Sequence, residues 1–140
     1  MTFTRLACAS IAVPSIDAVL PVYTEGLRMR VHGPVRTSQR GYGLRWVELG
    51  DENGPMIELM EPVGEAGPVH RFLERPGSSR IYQIRFYTDD LDHTLTGAAG
   101  RGVRVVRGPD VEGEPRLGFI HPGQTGGALI EVMETPGETP

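Results

Sequence analysis

The chain has 140 residues, 39% of them hydrophobic, a formal net charge of −4 and one cysteine, Cys8. That length buries one ordinary core, as a single domain or two small related halves, and one cysteine excludes an internal disulfide and a cysteine-built zinc cluster. All 14 basic residues are arginine, which removes lysine Schiff-base chemistry and lysine-anchored pyridoxal phosphate, while the acidic balance points away from nucleic acid and toward a small molecule.

Taken in order, Leu6 to Val13 reads as a strand of small residues. Ser15 is a natural cap for a helix through Ile16, Val19, Leu20 and Tyr23 to Gly26, with Pro21 kinking or loosening its second turn. Met29 to Arg36 is a predicted strand broken near Gly33-Pro34. Gly41 to Leu49 and Met56 to Glu61 are two more, joined by a Gly-bounded turn. Pro62 to Ser79 is rich in Pro and Gly and carries one short helical piece, Val69 to Glu74. A second series then begins. Arg80 to Thr88 alternates as a strand, Asp89 or Asp90 caps a helix from Leu91 toward Ala99, and Val103 to Val106, Leu117 to His121 and Ala128 to Met133 are predicted strands. The expected layout is thus a βαβββ module over 4–62, a connector over 63–79, a second βαβββ module over 80–135 and a tail over 136–140, within one α+β domain.

No GxGxxG, GxxxxGK[ST] or GxSxG occurs, which removes the usual sequence evidence for dinucleotide binding, phosphate loops and serine hydrolases. Apolar runs fall far short of a membrane span, and the first residues lack the pattern of a secretory signal. A cytoplasmic protein is the expectation.

The strongest internal signal is a duplication. WVELGDENGPMIELME, from Trp46, lies without a gap on FIHPGQTGGALIEVME, from Phe119. In each second strand the side chains alternate between faces, so Ile57 and Leu59 share one face while Met56, Glu58 and Met60 share the other. Ile130 and Val132 repeat the first face; Leu129, Glu131 and Met133 repeat the second. One carboxylate therefore stands in a soft apolar strip twice. If those strips are buried, each carboxylate needs a cation or donors to meet it; the alternative is that Glu58 and Glu131 face water on an open sheet.

Two βαβββ modules, with IAVPSIDAVLPVY, GPMIELMEP and FIHPGQTGGALIEV, resemble the vicinal oxygen chelate superfamily, with the closest look to its methylmalonyl-CoA epimerase and glyoxalase I members. The resemblance implies a glyoxalase-like fold of two cupped modules, a homodimer, and a divalent ion (Ni, Co, Zn, Mn or Mg) that chelates substrate oxygens. Carried over by position, the implied ligands are Cys8, Glu58, Gln83 and Glu131, with Cys8 and Gln83 standing where relatives commonly have His. Cys8 also reads as a small buried hydrophobe, and Gln83 as a hydrogen-bonding group.

The implied activity is isomerase or lyase chemistry on a small carbonyl or acyl-thioester compound, with Glu131 or Glu58 moving a proton next to the carbonyl. Arg85, on the face of Gln83, is a handle for a substrate carboxylate or phosphate, or a pair to Glu58 or Glu131. Tyr87 lies further along that face as a donor or a rim residue. His121, in the His-Pro stretch, is a proton relay or a structural residue at the turn. Met60 and Met133 complete the predicted substrate-binding set. The competing reading is a metal-free protein that sequesters an antibiotic or natural product, like the bleomycin-resistance members.

Overall fold

A computed structural model describes residues 3–77 and 80–136. Its elements run β1 (Phe3–Ala12), α1 (Ile16–Pro21), β2 (Arg30–Thr37), β3 (Leu44–Asp51), β4 (Gly54–Pro62), α2 (Pro68–Glu74), β5 (Ile81–Thr88), α3 (Leu91–Gly100), β6 (Val105–Arg107), β7 (Leu117–Ile120) and β8 (Leu129–Glu134). The protein is α+β, with eight strands and few helices among the described residues. After its first residue, the predicted tail over 136–140 lies outside the described residues.

Two compact units are present, one spanning Cys8–Tyr82, the other Gln83–Pro140 with Met1–Ala7. In the Cys8–Tyr82 unit β1 pairs in parallel with β4, β4 runs antiparallel to β3, and β3 antiparallel to β2. The Gln83–Pro140 unit repeats this pattern, with β5 parallel to β8, then β7 and β6 antiparallel.

Local chemistry sets the helices. The Ser15 side chain accepts a hydrogen bond from the Ala18 amide at 3.3 Å, and the Asp90 carboxylate caps α3 by accepting from the His93 amide at 3.0 Å. The predicted first helix does not stay α-helical to Gly26. It ends at Pro21 and widens into a π turn over Val22–Gly26, because a proline ring has no N–H to give and crowds the carbonyl one turn back.

Alternation along the strands decides what is buried. Leu59 and Ile57 turn toward α1 and pack with Val13, Ile16, Val47 and Leu49. On the opposite face Met60 joins Ala12, Leu44 and Val69 under α2. In the other unit Val132 meets Leu91 and Leu95 of α3, flanked by Ile120 and Ile130. Fully burying an aliphatic side chain of this size contributes about 1.5–3 kcal/mol, so each sheet face covered by a helix carries much of its unit's stability. Gly118 is what lets α3 come this close, since a Cβ there would lie 2.7 Å from Cδ1 of Leu95.

The two hairpins are not of equal length, which corrects the ungapped alignment. In the first, Asp51 pairs with Gly54 around a two-residue turn, closed so tightly that a Cβ on Gly50 would sit 2.0 Å from the Gly54 carbonyl oxygen. In the second, the last pair is Ile120 with Ile130, and a 3-10 turn over Pro122–Gln124 lies between. Glu58 faces Glu48 across the sheet, whereas Glu131 faces Phe119. The place of Glu48 therefore falls to Phe119, two residues before His121, and His121 lies outside β7.

The start of α3 is tied to the sheet by charge. Asp92 meets Arg107 at 2.7 Å and Arg116 at 3.2 Å, and Arg116 also meets Glu134 at 2.6 Å. Hydrogen bonds from Arg107 and then Arg116 hold the Asp92 carboxyl below its ordinary value of 3.8, and hydrogen bonds to Asp92 and then Glu134 raise Arg116. A carboxyl whose folded value lies below its unfolded one stabilises the fold fully above the unfolded value and loses that contribution as pH falls through the lower one. Asp92→Asn should accordingly lower the melting temperature slightly near neutral pH, with the gap to wild type closing on acidification below about 3.8. A gap that persists in strong acid would contradict this.

Candidate functional site

Glu58 stands in the middle of β4, on the face opposite Ile57 and Leu59, and only 3% of its surface is exposed. Its register partner on β1 is Ser10, itself fully buried, whose Oγ donates to Glu58 Oε1 at 2.9 Å. Cys8 is buried two residues earlier on the same strand. The reading in which Glu58 faces water is therefore excluded by burial.

Glu131 occupies the matching position of β8 and is 5% exposed. Gln83 donates through Nε2 to Oε2 at 3.0 Å, and Arg85, the register partner of Glu131 on β5, donates through Nε to Oε1 as an ion pair. All three side chains are buried. Of the two roles read for Arg85, pairing with Glu131 is the one the geometry displays. Tyr87, next along β5, is buried as well, with the Arg5 guanidinium 4.7 Å above its ring.

The other predicted residues fall as follows. Met60 belongs to the core under α2, and Met133 is half-buried beside Leu117. His121 caps the 3-10 turn, its Nδ1 accepting from the Gly123 amide at 3.0 Å, which is the structural half of its two readings. Sequence reasoning missed Ser10 as the donor to Glu58. Ser10 was findable: it follows Cys8 by two as Arg85 follows Gln83, and the helix starts Ile16-Asp17 and Leu91-Asp92 keep the same spacing.

A buried carboxylate met by a donor from the neighbouring parallel strand, twice, on a duplicated βαβββ frame, is the geometry to set beside known proteins. The family model described as "Glyoxalase/Bleomycin resistance protein/Dioxygenase superfamily" matches residues 9–120. The chain belongs to this superfamily. The ethylmalonyl-CoA/methylmalonyl-CoA epimerase of Cereibacter sphaeroides is 29% identical over 137 residues, covering 93% of this chain and 97% of the relative. The crystal structure of methylmalonyl-CoA epimerase from Mycobacterium tuberculosis superposes with a TM-score of 0.85 at 28% identity, covering 97% of this chain and 91% of that one. A variant of the Streptomyces coelicolor methylmalonyl-CoA epimerase, in complex with 2-nitronate-propionyl-CoA, has a TM-score of 0.84 at 25% identity over 99% of this chain and 100% of that one.

The superfamily resemblance implies a divalent ion on Cys8, Glu58, Gln83 and Glu131. The groups around Glu131 do not fit one. Its two oxygens already accept from N–H donors, and one of those donors is a cation. A divalent ion ~5 Å from a guanidinium experiences a gross repulsion of about 7 kcal/mol at an effective dielectric of ~20. Among the described residues no cluster of three or more His, Cys, Asp or Glu side chains is placed to hold an ion.

Proposed function

We propose that the protein is an acyl-CoA epimerase that inverts the carbon next to the thioester carbonyl, with methylmalonyl-CoA or a close homologue as substrate. The C2–H bond breaks, its electron pair moves into the thioester as an enolate, and a carboxylate takes the proton. Return of a proton to the opposite face inverts the centre. Glu131 and Glu58 are the carboxylates proposed for the transfer, because a buried carboxylate fixed by an oriented donor is positioned for proton transfer without solvent reorganisation. The observation that carries the reading is their burial at duplicated register positions, in a chain whose full-length relatives include epimerases of this kind.

Arg85, Gln83 and Tyr87 are proposed as the groups that recognise the acyl portion, and His121 as a positioning residue of the adjoining turn. A cytoplasmic homodimer is part of the proposal. It is supported by β2, a strand paired on one side that leaves Val31 and Val35 exposed. No helix among the described residues is long and apolar enough to cross a membrane.

The test is direct. Purified protein given one C2 epimer of methylmalonyl-CoA should produce the other until the two are about equal, followed by chromatographic separation of the two thioesters. Binding of the thioester with no inversion would instead assign the protein to the sequestering members of the superfamily.

A further inference from the structure

Satisfying a buried carboxylate requires only a donor, and in the Cys8–Tyr82 unit Ser10 is one such donor for Glu58. At the same register position in the other unit, opposite Glu131, stands Arg85. Burying a guanidinium carries a further desolvation cost, and Arg85 is 5% exposed. What it offers beyond a serine is a permanent charge and five N–H groups in a planar fork. Its Nε is directed at Glu131 Oε1 while Gln83 holds Oε2, so carboxylate, amide and guanidinium form one buried polar group on β5 and β8.

We propose that Arg85 supplies at Glu131 the positive charge for which the superfamily resemblance implies a divalent ion, and that its guanidinium meets the thioester oxyanion formed when the C2 proton leaves. This rests on the acyl-CoA reading. The enolate oxygen takes the larger share of the charge that develops in that step, and a fixed cation in a dry setting stabilises such an atom without a metal.

The experiment measures binding of 2-nitronate-propionyl-CoA, an enolate mimic, by calorimetry to the full chain in excess chelator and again with added cobalt. Wild type should bind equally tightly in both. Arg85→Lys, which keeps the charge, should bind within about 10-fold of wild type, and Arg85→Gln should lose about 10- to 100-fold, the worth of a charged hydrogen bond. Affinity lost in chelator and restored by cobalt, or an Arg85→Gln protein that binds as tightly as wild type, would overturn the proposal.

Cobalt uptake by equilibrium dialysis provides an arm that needs no thioester. Wild type should retain no stoichiometric cobalt, whereas one cobalt per chain that is lost in Glu131→Gln would contradict the charge assignment. If the mimic does not bind wild type at all, the acyl-CoA reading falls, and the cobalt count still decides whether Arg85 or an ion serves Glu131.

Discussion

Arg85→Met should destabilise the protein by about 3–5 kcal/mol, the loss expected when one partner of a buried ion pair is removed and the other stays behind. Glu131 is 5% exposed, so water cannot replace the guanidinium without opening the sheet. A domain of ordinary stability, about 5–15 kcal/mol, would lose a large share of it. Arg85→Met combined with Glu131→Leu should recover most of that loss, because apolar groups of similar size remove both desolvation costs at once. Urea unfolding of the single and double variants reads this. A double variant as unstable as Arg85→Met would show that the loss comes from packing of the arginine stem and not from a stranded carboxylate.

Replacing either glutamate by glutamine should lower turnover of the thioester by about 10²–10⁴-fold, the usual contribution of a positioned acid or base. The two variants should differ in stability. Ser10 can donate to an amide oxygen as it does to Glu58 Oε1, so Glu58→Gln should melt close to wild type with KM little changed. Glu131→Gln removes the charge that the Arg85 guanidinium meets on β8 and should melt well below it. Equal stability of the two variants would contradict the unequal surroundings of the two carboxylates.

The duplication, the alternation that buries Leu59 and Val132, and the placement of Glu58 and Glu131 opposite those aliphatics were all legible from period-two patterning. So were the two helix starts, because Ser15 and Asp90 act locally on amides three residues on. What the chain does not display in one dimension is register. An ungapped alignment paired His121 with Glu48, but the second hairpin carries two more residues between its equivalent strand positions, and Phe119 takes that place. That Arg85 meets Glu131 was open for the same reason, and the parallel pairing of β5 with β8 supplies it. Ser10 was overlooked because a serine among small strand residues carries no chemical signal of its own; only the spacing it shares with Arg85 in the repeat points to it. The π turn after Pro21 is a smaller case: proline announced a break but not the wider turn that absorbs it.

The central claim is that these buried carboxylates move the proton next to an acyl thioester carbonyl. Incubating methylmalonyl-CoA with the protein in heavy water containing excess chelator, and following the C2 proton signal by NMR, tests it most directly. Rapid loss of the signal with wild type, and its retention with Glu131→Gln and with Glu58→Gln, is the predicted result. A C2 proton that survives wild-type protein, or that washes out equally fast with both variants, would contradict the account.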